Sequence, residues 1–560
     1  MKRLIECVPN FSEGRDLNII KQITEAIESV EGIKMLNVDP GKATNRTVVT
    51  FVGEPNQVVE AAFRGIKKAA ELIDMSKHKG EHPRMGATDV CPFIPISGIT
   101  MEETVKFAHK LGKKVGEELG IPGYYYEAAA SNDERKNLAN CRAGEYEGLP
   151  QKFQDPNWKP DFGPAKFLSK TGATAIGARD FLVAYNVNLN TTSVRRANSI
   201  AFDIREKGRV KREGDPITGK IVNDANGNPV NIPGSLKAVK AIGWFIEEYG
   251  IAQISINLTN INITPIHIAF DEVCKKAEER GIRVTGSEIV GLVPLKSLLD
   301  AGKYFLRKQK RSVGVSEKEL VKIAIKSMGL DELGEFDPKK RVIEYVLRDE
   351  TEYKLVSKDL WEFANETASE SPAPGGGSVA AYVGALGASL GAMVANLSAH
   401  KRGWDDRWEE FSNWAENAQE LKRTMLRLVD EDTRSFNEIM EAFALPKTTE
   451  YEKEVRKRKI QEATKKAIEV PFRTMKAALE SMDICKAMAE IGNPNSITDA
   501  AVGAACARTA VVGAYLNVKV NTQSFDDKDY VIQILSEAKL ILEKAYTLEK
   551  EILEYTENRI

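Results

Sequence analysis

Over the first third of the chain, apolar positions come in short alternating runs broken by helical ones. "RLIECVP" reads as a strand, and residues 15–31 carry Leu17, Ile20, Ile23, Ala26 and Ile27 at helical spacing. "IKMLNV" and "RTVVTFVG" are strands joined by the turn "DPGKAT". Residues 55–74 set Val58, Val59, Ala62, Phe63, Ile66, Ala70 and Ile73 on one helix face, and "DVCPFIPI" closes the unit. The order β-α-β-β-α-β is that of a ferredoxin-like split unit. It recurs after residue 180: "FLVAYNVNL", a helix over 192–207, "LKAVKAIGWF", "AQISINL", a helix over 264–280 and "IRVTGSEIV". Inside this second unit "REGDPITGKIVNDANGNPVNIPG" is polar and turn-rich, an inserted hairpin or loop.

From about residue 315 the strand pattern stops. Residues 309–358 are highly charged and read as a linker with one short helix. Long helical patterns follow over 357–370, 377–400, 404–442, 449–488, 496–516 and 527–557, an all-α bundle. The expected layout is multidomain: two α/β ferredoxin-like lobes over 1–180 and 181–310, a linker over 311–356 and an all-α helix-bundle domain over 357–560. A chain of 560 residues is too long for one core, which agrees with this division.

Composition narrows the function. A net charge of −2 supplies no whole-protein field for nucleic acid, so an anionic ligand needs a local patch. The six cysteines form no CxxC pair, which argues against a cysteine zinc site or a disulfide scaffold and for reduced thiols in the cytoplasm. "MKRLIECVPNF" has no long apolar core, so no signal peptide is expected. Residues 379–399, "VAAYVGALGASLGAMVANLSA", are uncharged over a bilayer-spanning length. They are mostly small residues, with Gly384, Gly387, Gly391 and Ala395 on one face, so a closely packed bundle helix is expected rather than a membrane span.

Candidate chemistry sits in the punctuating loops. His82, in "KHKGEHPRMGATDV", is held away from helix by Pro83 and lies between a helix and a strand. An imidazole there can move protons either way near neutral pH. Asp39, at a strand end in "NVDPGKAT", is a candidate to orient it, although Asp-Pro-Gly is also an ordinary turn. His78, His109, His267 and His400 attract no such reading. "DFGPAKFLSKTGATAIGARDF" interleaves glycines with Lys166, Lys170 and Arg179, a wall suited to an anion. In the bundle, Gly375, Gly376 and Gly377 precede Ser378, an expected N-cap, so that a helix N-terminus forms a second anion loop. The helix over 404–442 has a core stripe of Trp408, Phe411, Ala415, Ala418, Leu421, Met425, Leu428, Phe436 and Ile439. Asp432 falls on that stripe, where a carboxyl's pKa is raised; Asp430 falls off it.

Several long stretches then resemble one family. "VPNFSEGR", "NVDPGKATNRTVVTFVG", "GEHPRMGATDVCPFIP" and "DFGPAKFLSKTGATAIGARDFLVAYNVNL" are similar to glutamate formiminotransferase. "APGGGSVAAYVGALGASLGAMVANLS", "LVDEDTRSFN" and "GNPNSITDAAVGA" are similar to formiminotetrahydrofolate cyclodeaminase. In order and length the chain resembles the bifunctional fusion of the two. The resemblance implies transfer of a formimino group from N-formimino-L-glutamate to tetrahydrofolate, then cyclisation to 5,10-methenyltetrahydrofolate with release of ammonia, a step of histidine breakdown. It places the transferase histidine on His82 and the folate segment on Gly163, Pro164, Ala165, Lys166, Phe167, Leu168, Ser169, Lys170, Thr171 and Gly172. It places the cyclodeaminase acid in "LVDED", where the stripe favours Asp432 over Asp430. Tetrahydrofolate, often polyglutamylated, is the implied co-substrate, with no metal or redox cofactor, no nucleic acid or membrane partner, and a homo-oligomer like the family's ring-shaped octamer. The readings that compete are a formylglutamate-using transferase joined to a methenyltetrahydrofolate cyclohydrolase, and a non-catalytic folate-binding protein. The stretches at about 212–235 and 309–358 look longer than the animal enzyme leads one to expect.

Overall fold

The computed structural model describes residues 3–42, 44–80, 82–214, 219–347 and 354–560. They fall into two compact units, one over 1–297 and 328–347 and the other over 298–327 and 348–560.

The first unit begins with β1 (Leu4–Cys7), β2 (Asn10–Phe11), α1 (Leu17–Glu28), β3 (Lys34–Gly41), β4 (Arg46–Gly53), α2 (Pro55–Leu72) and β5 (Thr88–Ser97). Asp16 caps α1 by accepting from the Asn18 and Ile19 amides, and Pro55 opens α2 where its missing N–H costs nothing. Ile20, Ile23 and Ile27 of α1 and Val58, Ala62 and Ile66 of α2 are buried. The antiparallel order is β3-β4-β1-β5, with β2 continuing β1 past the break at Val8–Pro9. α3 (Met101–Lys114) leads to β6 (Gly123–Glu127), and the short helices α4 (Asp133–Lys136), α5 (Leu138–Arg142) and α6 (Glu145–Lys152) lead to β7 (Thr174–Ala178). β7 joins β5 in parallel and β6 lies outside it.

The second lobe is β8 (Val183–Leu189), α7 (Val194–Ile204), a hairpin of β9 (Arg209–Val210) and β10 (Asn231–Ile232), β11 (Val239–Ile246), β12 (Ile251–Leu258), α8 (Ile266–Glu278) and β13 (Val284–Val290). Its antiparallel order, β11-β12-β8-β13, repeats that of the first lobe, so both are ferredoxin-like. The polar insertion is the β9–β10 hairpin with bridges Arg212–Ile221 and Asn223–Pro229. Part of its tip, 215–218, lies outside the described residues.

The stretch read as a linker is more ordered than its charge suggests. It follows α9 (Leu295–Lys308) and holds α10 (Glu317–Met328), α11 (Pro338–Arg341) and α12 (Ile343–Val346). Val313 is buried in the segment ahead of α10, and Leu320, Val321, Ala324 and Met328 of α10 are buried at helical spacing that the surrounding charge masks. Residues 348–353 of the expected 311–356 linker lie outside the described residues.

The bundle comprises α13 (Leu360–Thr367), α14 (Gly376–Ala399), α15 (Trp408–Ala444), α16 (Glu450–Ile491), α17 (Ile497–Asn521) and α18 (Lys528–Glu557). The small face of α14 is what lets it sit among α15, α16 and α17: a Cβ on Gly384 would press on Met425, one on Gly387 on the Gly503 carbonyl, and one on Gly391 on Ile484. α14 and Pro494–Ser524 are long and apolar enough to cross a membrane, but α14 is largely buried by its neighbours. The stripe of α15 is correct from Phe411 to Leu428 and then leaves the core. Phe436 is 40 % exposed, because α15 outruns the N-terminus of α14 that covers it earlier.

Candidate functional site

His82 lies on the loop between α2 and β5, where Pro83 keeps the backbone extended. Its Nδ1 is 2.7 Å from the Pro83 carbonyl. A carbonyl only accepts, so Nδ1 carries the proton and the Nε2 lone pair is left open, without a partner among the described residues. Burial pushes the imidazole pKa below its ordinary value, and the Arg46 and Arg142 charges push it further; the Pro83 bond and Asp89 act the other way. The result is a neutral base with Nε2 available.

Behind the loop is a buried charge cluster. Asp89, fully buried, accepts at Oδ2 from Arg46 and from Arg142 (2.6 Å), and at Oδ1 from the Met85 amide (3.0 Å). Burial alone would raise the Asp89 carboxyl, but the two guanidiniums outweigh it and hold it below the usual range. Arg46 is pinned at its other edge by Asn10 Oδ1 at 3.0 Å. Two cations and one anion leave a net positive charge beside the imidazole. Asp39 is not part of it. It sits on the exposed side of β3, in register with Val48, and its carboxylate makes no hydrogen bond to His82; Nδ1 is already taken by Pro83. The carboxylate that the imidazole feels is Asp89. Its signal in the sequence was a charge at the head of the apolar run "DVCPFIPI", which alternation places toward the interior.

Three loops are fastened by Asn45, a non-glycine residue at φ 47°. Its side chain accepts from the Gly14 amide (3.0 Å) and donates to the Lys79 carbonyl (3.1 Å). Its carbonyl takes the His78 Nε2 proton at 2.8 Å, while Arg84 donates to His78 Nδ1 at 3.3 Å. Arg84 in turn pairs with Glu145 (3.0 Å) and Glu147 (2.7 Å). His78 is therefore a brace between two loops.

The Gly163–Gly172 segment is stitched to the histidine loop. The Ala87 amide donates to the Thr171 carbonyl (2.8 Å), Ala173 to Met85 (2.9 Å) and Met75 to Lys170 (2.9 Å), and Gly86 bridges Gly172. Gly163 and Gly172 have φ of 72° and 65°, and a Cβ on either would strike backbone, at the Ile121 and Met85 carbonyls. Pro164, Ala165, Lys166, Ser169 and Lys170 stay exposed, Leu168 is half-buried, and Phe167 packs on the Tyr146 ring at 5.4 Å.

In the bundle, Gly375 is the N-cap of α14, and Ser378 lies in the first turn instead of capping it. Its hydroxyl is 2.9 Å from both Asp432 Oδ2 and the Val429 carbonyl, and 3.2 Å from Thr433 Oγ1. One hydroxyl proton serves one acceptor. With Asp432 ionised, Ser378 donates to it; with Asp432 protonated, Asp432 can donate to Ser378 and Ser378 to Val429. Burial raises the Asp432 pKa, opposed by the Ser378 hydrogen bonds. Gly377 is required here because a Cβ would overlap the Asp432 carboxylate, and Gly376 lies near the Asn517 amide. Asp430 is 4 % exposed, and both its oxygens are occupied by the Leu355 (2.8 Å) and Val356 (3.3 Å) amides. It anchors the chain where it reaches the bundle. No cluster of three metal-ligating side chains occurs among the described residues.

Comparison with known proteins bears on both halves. Residues 4–179 match the model for the formiminotransferase domain, N-terminal subdomain, residues 184–348 that for the formiminotransferase domain, and residues 359–540 that for formiminotransferase-cyclodeaminase. A Gallus gallus protein named formimidoyltransferase-cyclodeaminase is 43 % identical over 97 % of each chain. The chain belongs to the formimidoyltransferase-cyclodeaminase family. Within the formimidoyltransferase-cyclodeaminase frame each half also has its own relatives. A Thermoplasma acidophilum glutamate formimidoyltransferase is 46 % identical, covering 54 % of this chain and 92 % of its own length. A Methylorubrum extorquens methenyltetrahydrofolate cyclohydrolase is 36 % identical, covering 35 % of this chain and 95 % of its own.

Proposed function

We propose that this bifunctional enzyme moves the formimino group of N-formimino-L-glutamate to N5 of tetrahydrofolate in its α/β unit, and closes the adduct to 5,10-methenyltetrahydrofolate with release of ammonia in its bundle. The observation that carries this reading is the geometry around two proton-transfer groups: Nε2 of His82 is left open beside the Arg46–Asp89–Arg142 cluster, and the half-buried Asp432 carboxyl meets the Ser378 hydroxyl in the first turn of α14. In the first reaction N5 attacks the amidine carbon. Nε2 of His82 takes the proton N5 loses, then returns it to the glutamate nitrogen as the carbon–nitrogen bond breaks. The net positive Arg46–Asp89–Arg142 cluster suits the carboxylates of both substrates, and the segment from Gly163 to Gly172 supplies exposed lysines for folate. In the second reaction N10 attacks the same carbon of the protonated formimino group; protonated Asp432 gives its proton to the amino nitrogen, the carboxylate so formed takes the proton that N10 loses, and the carbon–nitrogen bond breaks to release ammonia. Gly377, where a Cβ would overlap the carboxylate, lets the α14 N-terminus come close to that acid.

The deciding assay supplies tetrahydrofolate with formiminoglutamate or formylglutamate. Methenyl absorbance with equimolar ammonia from formiminoglutamate alone is expected; ammonia independent of that donor, or none, overturns the reading. The cyclohydrolase relative of the bundle favours a second activity, hydrolysis of the methenyl product, which would appear as decay of that absorbance after the donor is spent.

The protein is further read as a cytoplasmic homo-oligomer of the octameric kind, without nucleic-acid or membrane partners and without a metal or redox cofactor. Its six cysteines are free thiols. Leu386, Met393 and Leu397 of α14 and Val502, Leu516 and Val520 of α17 are exposed apolar side chains of the sort another copy covers. Native mass tests this.

A further inference from the structure

Beyond Asp432, α15 presents a second apolar face that the core does not use. Phe436 is 40 %, Met440 54 % and Phe443 49 % exposed. They follow Asp432 at steps of four, eight and eleven residues, so they lie within one stripe on its side of the helix. The neighbouring side is taken by α16: Ser435 and Ala442 are buried, and Glu431 and Glu438 pair with Arg473 and Lys466 at 2.6 Å each. α14 starts at Gly376 and covers α15 only as far as Thr433, through Ser378. At the far end of the stripe Arg456 of α16 reaches back. Its Nε and Nη2 donate to the Phe443 carbonyl at 3.2 and 3.1 Å, its guanidinium lies 5.5 Å from the Phe443 ring centroid, and it has no carboxylate partner among the described residues.

This sequence of groups matches the substrate's own order. In a 5-formimidoyl folate the reacting N10 is bonded directly to an aryl ring, and that ring carries an amide-linked glutamate with two carboxylates. With the reacting carbon at Asp432, the aryl ring must lie next to the acid and the carboxylates further along. Helix rise puts Phe436 about 6 Å, Met440 about 12 Å and Phe443 about 16 Å from Asp432 along the axis. We propose that the Phe436–Met440–Phe443 face is the seat of the p-aminobenzoylglutamate arm, with Phe436 against the aryl ring and Arg456 meeting a glutamate carboxylate. An aromatic ring beside an aryl group and an unpaired guanidinium beside a carboxylate are the pairings such an arm selects. The assignment rests on Asp432 marking the reacting carbon.

The test is steady-state cyclisation by the full chain, supplied with 5-formimidoyltetrahydrofolate or its analogue lacking glutamate, 5-formimidoyltetrahydropteroate. Phe436→Ala is expected to raise KM about tenfold for both, with kcat within about twofold and native mass unchanged, while Phe436→Tyr restores KM. Arg456→Gln is expected to raise KM for the folate and leave the pteroate untouched. Unchanged KM in both variants overturns the proposal. So does a KM effect accompanied by a shift in native mass, which would mark the face as packing against another copy. Asp432→Asn separates the two levels: retained kcat removes the acid assignment, whereas the substrate dependence of Phe436→Ala and Arg456→Gln reports on the arm itself.

Discussion

At the level of single residues the two chemistries are separable by protonation. Because burial and the Arg46 and Arg142 charges lower the His82 pKa, the base form persists below the ordinary histidine range. The acidic limb of kcat/KM for transfer is therefore expected below pH 6.5, measured from formiminoglutamate consumption against pH. His82→Ala should reduce transfer by about 10²–10⁴-fold and leave cyclisation of supplied 5-formimidoyltetrahydrofolate unchanged. Asp432 runs the other way. Its folded pKa is raised above the unfolded value, so as pH rises from that value through the folded pKa the native state loses stability relative to the unfolded chain. Asp432→Asn removes that cost and is expected to unfold at a higher temperature near neutral pH while losing cyclodeaminase activity. Ser378→Ala removes the hydroxyl hydrogen bond that helps hold the pKa down and leaves the backbone one in place, so the alkaline limb of cyclisation should move to higher pH. Asp430→Ala, by contrast, strands two buried amides and should cost about 2–4 kcal/mol by denaturant unfolding.

At the level of elements, legibility followed periodicity. Both ferredoxin-like sheets and the long helices could be read because their cores repeat at two or 3.6 residues, and the small face of α14 named its own role. What failed were relations between distant segments. Asp39 looked like a partner for His82 because a carboxylate at a strand end can orient an imidazole; the pairing of β3 on β4 leaves it on an exposed surface, and Asp89, held between Arg46 and Arg142, takes the place near the imidazole. Ser378 read as a cap because glycines preceded it, but the helix takes in two of them, which turns its hydroxyl onto Asp432. Phe436 read as core because apolar periodicity does not say where a covering helix ends. The stripe placed Asp432 inside and Asp430 off the core, but Asp430 is the more deeply buried of the two, because the turn at Leu355–Val356 covers its side of α15 and occupies its carboxylate. Gly172→Ala is expected to weaken transfer through the loop it shares with His82, since its Cβ meets the Met85 carbonyl; a rise in KM for tetrahydrofolate with cyclisation intact is the measurement.

At the level of the whole molecule, the proposed base His82 lies in one compact unit and the proposed acid Asp432 in the other. Neither group borrows a described hydrogen bond from the other unit. A mixture of His82→Ala and Asp432→Asn proteins should therefore make methenyltetrahydrofolate from formiminoglutamate, with a lag while the intermediate passes through solution. Absence of product from the mixture would show that both sites must lie on one chain.

The clamp that Asp430 places on Leu355 and Val356 reaches beyond packing. Those two amides lie in turn backbone ahead of α13, a location where protons ordinarily exchange with solvent in moments. Tied to a carboxylate on α15, they can exchange only when that helix opens or the clamp lets go. Their isotope-exchange rates should thus track those of mid-α15 amides across temperature and denaturant, making this short turn a reporter of the bundle's own opening.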